Sequence, residues 1–209
     1  MIRRKHLMLL LTLMMTLCAC SNGGMSADIY ERIYEQYNQL NSYHSKIRMT
    51  VTSNKTTKTY VMNQYYKAPD RYKIEILEPE DIRGLVTVYS GSNVTTIYPE
   101  IQGKFTLMNF TPIDKSYIFI SDFFETYYKS EQTTVFMVNK TESRQTVLEA
   151  NIPGSNIYRF NQKMWIDNNT LLPLKMEIYD IKKKAVISIT YDEVELNTEL
   201  EDKIFELGG

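Results

Sequence analysis

Beyond residue 45, apolar side chains recur at every second position, and the pattern returns after each short polar break. Ile47, Met49 and Val51 alternate with Lys46, Arg48, Thr50 and Thr52, and the same period reappears at Tyr60/Met62, Tyr72/Ile74/Ile76, Val86/Val88 and Phe105/Leu107. A period of two suits a strand with one dry and one wet face and is incompatible with a helix. The breaks carry turn chemistry: Ser53-Asn54-Lys55, Ala68-Pro69-Asp70, Glu78-Pro79-Glu80, Ser90-Gly91-Ser92 and Gln102-Gly103-Lys104. Their spacing, roughly 8 to 12 residues, is that of an antiparallel meander. Further strands are predicted near 133–139, 145–151, 157–166, 173–179 and 185–194.

Two stretches depart from this period. Ile29, Ile33, Tyr37 and Leu40 fall at helical spacing behind Asp28 and Glu31, a capping pair, which predicts a helix over 28–42. Ile118, Phe119, Phe123, Phe124, Tyr127 and Tyr128 do the same after Asp114 or Ser116 and predict a second helix within 114–129. A sheet with one apolar face and only two helices must bury that face against them or against itself. The expected fold is therefore α+β: a single domain over 28–207 in which a curved antiparallel sheet, a half-barrel, wraps the helices. Its apolar concave face would draw on Ile47, Met49, Val51, Met62, Ile74, Ile76, Val86, Val88 and Leu107. That face is either a filled core or the lining of a lipid-sized cavity.

The first residues do not belong to that body. Met1-Ile2-Arg3-Arg4-Lys5-His6 is a basic stretch, and the apolar run that follows from Leu7 is too short for a hydrocarbon core that needs about 20 residues. Residues 1–19 read as an export signal, and 20–27 as a flexible tether. Removing the signal takes away Arg3, Arg4 and Lys5, leaving 21 cations against 25 acids and a charge of −4. A mildly acidic body has no general attraction for a phosphate backbone, so nucleic acid is not an expected partner.

The catalytic inventory is thin, and no enzyme activity is expected. His6 leaves with the signal, so any mechanism needing a histidine must run through His44, which no nucleophile motif accompanies. Its ordinary role would be a surface or hydrogen-bonded histidine. Cys18 also leaves and Cys20 remains as a single cysteine, so neither a disulfide within the chain nor a Cys/His metal site is expected. The acidic turn Glu78-Pro79-Glu80-Asp81 lacks calcium-loop spacing, no glycine motif cradles a phosphate, and no cofactor is implied.

Two sets of residues carry a resemblance. Leu17-Cys18-Ala19-Cys20 resembles the lipobox of bacterial lipoproteins, which implies cleavage after Ala19 and a diacylglyceryl group, palmitate-like in its acyl chains, on the Cys20 thiol. Two such chains bind a bilayer with on the order of 20 kcal/mol, so the chain would stay on the extracytoplasmic face of a membrane. Met164 to Glu177, with Trp165-Ile166-Asp167 and Leu172-Pro173-Leu174, resembles the hallmark of the LolA/LolB-like lipoprotein-carrier superfamily. Tyr191-Asp192-Glu193-Val194 and Phe205 resemble its closing strand and terminal Phe, and Lys67-Ala68-Pro69 and Ser90-Gly91 its earlier hairpin landmarks. In this frame Asp167 and Asn168 stabilise a turn, Pro173 starts a strand, and Trp165 fills the core or a concave face.

Among anchored members, the lipobox, length and composition resemble the clostridial germination lipoproteins of the GerS kind. That likeness implies a noncatalytic partner of a CwlD-like N-acetylmuramoyl-L-alanine amidase, which helps make muramic-δ-lactam in spore cortex, and a location in the forespore intermembrane space. The other implied role is a LolB-like acceptor that holds acyl chains in an apolar cavity. Exposed sheet edges would also permit a homodimer by strand pairing or swapping. Replacing Cys20 by Ser is expected to release the protein or leave an uncleaved precursor, read by fractionation and mature mass; a membrane-bound chain of mature size would contradict the anchor.

Overall fold

The computed structural model describes residues 24–98, 103–108, 117–139 and 144–206. The export signal, Cys20, Asp114 and Ser116 lie outside these residues. In chain order the elements are α1 (Gly24–Asn38), β1 (Ser42–Thr52), β2 (Thr57–Lys67), β3 (Arg71–Glu78), β4 (Val86–Ser90), β5 (Asn93–Tyr98) and β6 (Gly103–Leu107). After α2 (Ile120–Lys129) come β7 (Thr133–Asn139), β8 (Arg144–Asn156), β9 (Arg159–Asp167), β10 (Pro173–Tyr179) and β11 (Ala185–Leu196). All strands join one antiparallel sheet in the order β6-β5-β4-β3-β2-β1-β11-β10-β9-β8-β7. Two meanders thus meet where the first and last strands pair at the centre. The sheet is curved and open, with β6 and β7 as its edges, and carries both helices on its concave face.

Register decides which residues share that face. One ladder runs Tyr89–Tyr72–Tyr66–Tyr43 across β4 to β1. Another runs Tyr60–Met49–Ile189–Met176–Met164–Leu148–Val135 from β2 to β7. Ile33, Phe123, Ile120, Phe124 and Tyr37 from the helices pack against these rows in one continuous core. Burying each such side chain contributes roughly 1.5–3 kcal/mol.

The first helix differs from the expectation at both ends. It begins at Gly24 and ends at Asn38, so Asp28 lies within it rather than capping it. Met25 and Ala27 are good helix formers, and nothing at Asp28 stops the helix from extending through them. At the other end the chain leaves the helix at Leu40, whose N–H bonds the Tyr37 carbonyl, and Asn41 is held by Asn197 Oδ1 at 2.8 Å. Gly103 and Lys104, expected in a turn, open β6 instead.

α2 starts without a side-chain cap of its own. The Tyr43 hydroxyl takes that place, accepting the Ile120 N–H at 3.1 Å in a fully buried setting. Removing it leaves a buried backbone donor unpaired, which costs about 1–3 kcal/mol. Tyr43→Phe is therefore expected to lower unfolding free energy by that amount in urea titrations with an unchanged m-value; a variant as stable as the parent would contradict the docking of α2 through Tyr43.

Candidate functional site

Two surfaces are available for binding, the concave face and the outer face of the sheet. On the concave face, Ile47, Met62, Ile74 and Ile76 are buried in the main core, and Met49 and Val51 pack half-buried against it. Leu107 pairs with Val94, which pairs with Tyr89, so it shares this face, but it stands at the β6 edge and is 47% exposed. Val86 and Val88 do not belong to it. They pair with Glu75 and Lys73, which places Thr87 and Tyr89 on the concave side and both valines on the outer side. Alternation gave the period of β4 and not its phase, because Val and Tyr at neighbouring positions fit either face.

The centre of the concave face is filled by the molecule's own aromatic groups. Tyr37 stacks on Phe124 at 3.8 Å, and Phe119 lies 4.7 Å from Tyr72. Tyr37 donates to the Leu171 carbonyl at 2.7 Å, and Tyr72 donates to Asp122 Oδ1 at 3.1 Å, tying α1 to the β9–β10 turn and α2 to β3. Burial holds the Tyr37 and Tyr43 phenols well above the usual tyrosine range, so both act as neutral hydroxyls. Space remains at the margins. A cavity of about 410 Å³ lies between Leu40, Tyr66, Tyr72 and Phe124, and one of about 400 Å³ between Ile29, Tyr30, Val135 and Met137.

The outer face carries the remaining sequence candidates. Trp165, expected in the core or on a concave face, pairs with Val147 and Lys175 on this side, with the Lys175 ammonium 4.9 Å from its ring. Its neighbours Met164 and Ile166 are the ones that face the core. Asp167 does organise the turn, accepting the Asn169 and Thr170 N–H groups at 2.9 Å each. Asn168 ties that turn to β8 by accepting from Thr146 at 2.8 Å, and Pro173 opens β10. His44 stacks on Tyr65 at 4.7 Å on the outer side of β1. Glu80 is an exposed partner of Arg83 at 2.6 Å. Among the described residues no three His, Cys, Asp or Glu side chains are grouped to hold a metal ion, and no helix is long and apolar enough to cross a membrane.

The C-terminal segment covers part of this outer face, which the sequence did not signal. Val88, Leu200 and Phe205 form a second buried cluster, closed by Val86 and Ile204. Asp202 fixes it, within 2.5 Å of Lys67 and 2.9 Å of Arg71. Hydrogen bonds and charge from those two cations hold the Asp202 carboxyl below its ordinary value.

An open, curved antiparallel sheet that cradles two helices defines the class of fold. The chain resembles a conserved protein from Thermus thermophilus at 13% identity, covering 88% of this chain and 94% of that one with a TM-score of 0.56. LolA superfamily proteins are also among its structural neighbours, one from Nitrosomonas europaea at 17% identity, covering 87% and 97% of the two chains with a TM-score of 0.47. The GerS lipoprotein, solved with the CwlD amidase from Clostridioides difficile, is 27% identical, with 87% of this chain and 99% of that one covered and a TM-score of 0.50. Among curated proteins none matches this chain. The YdcC-like sporulation proteins match residues 3–205, and the chain belongs to that family.

A depressed carboxyl stabilises the folded tail above its unfolded value and loses that contribution as pH falls through the lowered folded value. Protection factors of the amides across residues 198–205 are expected to fall as the pH drops below the ordinary aspartate range while the core strands stay protected, and Asp202→Asn should remove that pH dependence. Equal protection of the tail in parent and variant across that pH range would contradict it.

Proposed function

We propose that this chain is a membrane-anchored, noncatalytic lipoprotein that binds and activates an N-acetylmuramoyl-L-alanine amidase during spore cortex modification, and so serves germination. The observation that carries the reading is the likeness to GerS, a lipoprotein solved in complex with an amidase, over 87% of this chain. Membership of a sporulation family agrees with it. Anchoring through Cys20 would hold the body on the extracytoplasmic face, in the forespore intermembrane space where a wall amidase works.

The same reading follows from how polar and apolar groups are spent. The buried tyrosines and Asp122 are engaged in fastening the helices to the sheet, and a binding role requires only a surface that recognises a partner. A LolB-like carrier would need room for an acyl chain where Phe123, Ile120 and Phe124 already pack. Displacing them would expose buried aromatic area at a cost of several kcal/mol. The packing therefore favours adaptor over carrier.

Mixing the purified domain with the amidase of the same organism is expected to give a stoichiometric complex by light scattering, with cleavage of cortex peptidoglycan only when both are present. Spores lacking this chain should lose muramic-δ-lactam from their muropeptides. A lactam content equal to that of the parent, with no complex in vitro, would overturn the proposal; an acylated peptide recovered with the protein would support the carrier.

A further inference from the structure

One end of the sheet concentrates features the fold does not use. The β8–β9 tip, Ile157-Tyr158, and the β10–β11 tip, Ile181-Lys182-Lys183-Lys184, lie side by side, joined by the Ile181 N–H to the Ile157 carbonyl at 3.1 Å. Each turn is fixed by its own side chain. Asn156 Oδ1 accepts from Tyr158 N at 2.8 Å and Arg159 N at 3.1 Å, and Asp180 Oδ1 accepts from Lys182 N at 2.9 Å and Lys184 N at 2.8 Å. The tips are thus set before any partner arrives, which lowers the ordering cost of binding.

Between them and the β1–β2 turn opens a cavity of about 590 Å³ with a floor of Val51, Val186 and Ile187. Arg159, Lys182 and Lys184 stand at its rim and outnumber the single carboxylate there, Asp180, whose Oδ1 accepts from the turn backbone. At its mouth Ile157, Tyr158 and Ile181 are 57%, 67% and 54% exposed, far more than stability would select. Among the described residues the ion pairs lie elsewhere, as in Lys163 with Glu149 and Lys175 with Glu177, and none engages these rim cations. A chain of net charge −1 therefore presents, at one spot, several cations around an apolar recess.

We propose that these paired hairpin tips are the docking surface for the partner protein, which presents a protruding apolar side chain ringed by carboxylates. Charge complementarity sets the acidic character of the partner, and the apolar floor sets the anchor residue, since aromatic and arginine groups around a recess are where binding energy concentrates. The position of α1 favours a protein over the anchoring membrane. Ala27 and Ile29 at its start lie beside Met137 and Thr146, whereas the tip follows Asn156, whose partner Arg159 is seven residues, about 23 Å, along β9 from the Thr146 partner Ile166. Four residues from Cys20 to Gly24 reach at most about 14 Å, so an anchor at Cys20 points the tips away from that bilayer. The inference rests on the adaptor reading for the identity of the partner, not for the surface itself.

A photo-crosslinking amino acid in place of Tyr158 in the full chain, in sporulating cells, tests it, with the same group in place of Glu193 as the control. The expected result is an adduct with the amidase at 158 and not at 193, lost when Lys182→Glu and Lys184→Glu are combined. With the purified amidase the same pair of substitutions should weaken binding by at least about tenfold while the circular dichroism stays unchanged. An adduct at 158 with a different, identified protein, lost on the same charge reversal, would keep the surface and overturn the amidase reading. Absence of any protein adduct at 158, an adduct indifferent to the charge reversal, or a phospholipid adduct would overturn the docking surface, and the amidase complex would then stand or fall on its own measurement.

Discussion

The docking of α2 against the tyrosine ladder is the contact on which the rest of the structure depends. Tyr43 accepts the first helical N–H, Tyr72 donates to Asp122 two residues later, and Phe119, just ahead of the helix, packs on Tyr72. These contacts hold a short helix of ten residues that would not persist alone in water. With α2 in place, Tyr37 of α1 can stack on Phe124 and reach Leu171, so both helices are locked to strands from both halves of the sheet. Curvature follows, because a flat sheet could not bring β3 and β9 to the same pair of helices.

The central β1–β11 pair is the second constraint. It joins residues about 150 positions apart, since Tyr43 lies opposite Leu196, and it turns two local meanders into one sheet. The tail beyond β11 then falls on the outer side of β2 to β4, where Asp202 meets Lys67 and Arg71. Burial of Val86 and Val88 beneath Leu200 and Phe205 gives the thin β4 strand two protected faces. The body gains stability from this closure as well as from its core.

Much of this was legible in the residues. The period of two gave β1, β2 and β3 as strands and put Ile47, Met62, Ile74 and Ile76 on the buried face, because polar residues such as Lys46, Arg48, Lys73 and Glu75 mark the wet face. Where apolar residues fill both parities the phase was lost, as in Val86-Thr87-Val88-Tyr89 and Met164-Trp165-Ile166, and only the hydrogen-bond register assigns the faces. The tyrosine ladder escaped notice because its members are scattered at 43, 66, 72 and 89 and meet only through strand pairing. Lys182-Lys183-Lys184 reads as a solvated hairpin turn, but Ile157 and Tyr158 fall inside the strand expected over 157–166, whereas β9 starts only at Arg159, and nothing in the chain shows that the two tips touch. Family resemblance named the scaffold and the class of partner, and could not indicate where a partner sits.

A helix-filled half-barrel is suited to presenting surfaces, since its rigid core carries hairpin tips at one end and leaves the other end free for a tether. The most direct test of the adaptor account is native mass spectrometry of the protein taken from its own sporulating cells. The account predicts a stoichiometric second chain identified as a cell-wall amidase. A monomer that carries a phospholipid or an acylated peptide instead would contradict it and move the function into the concave face.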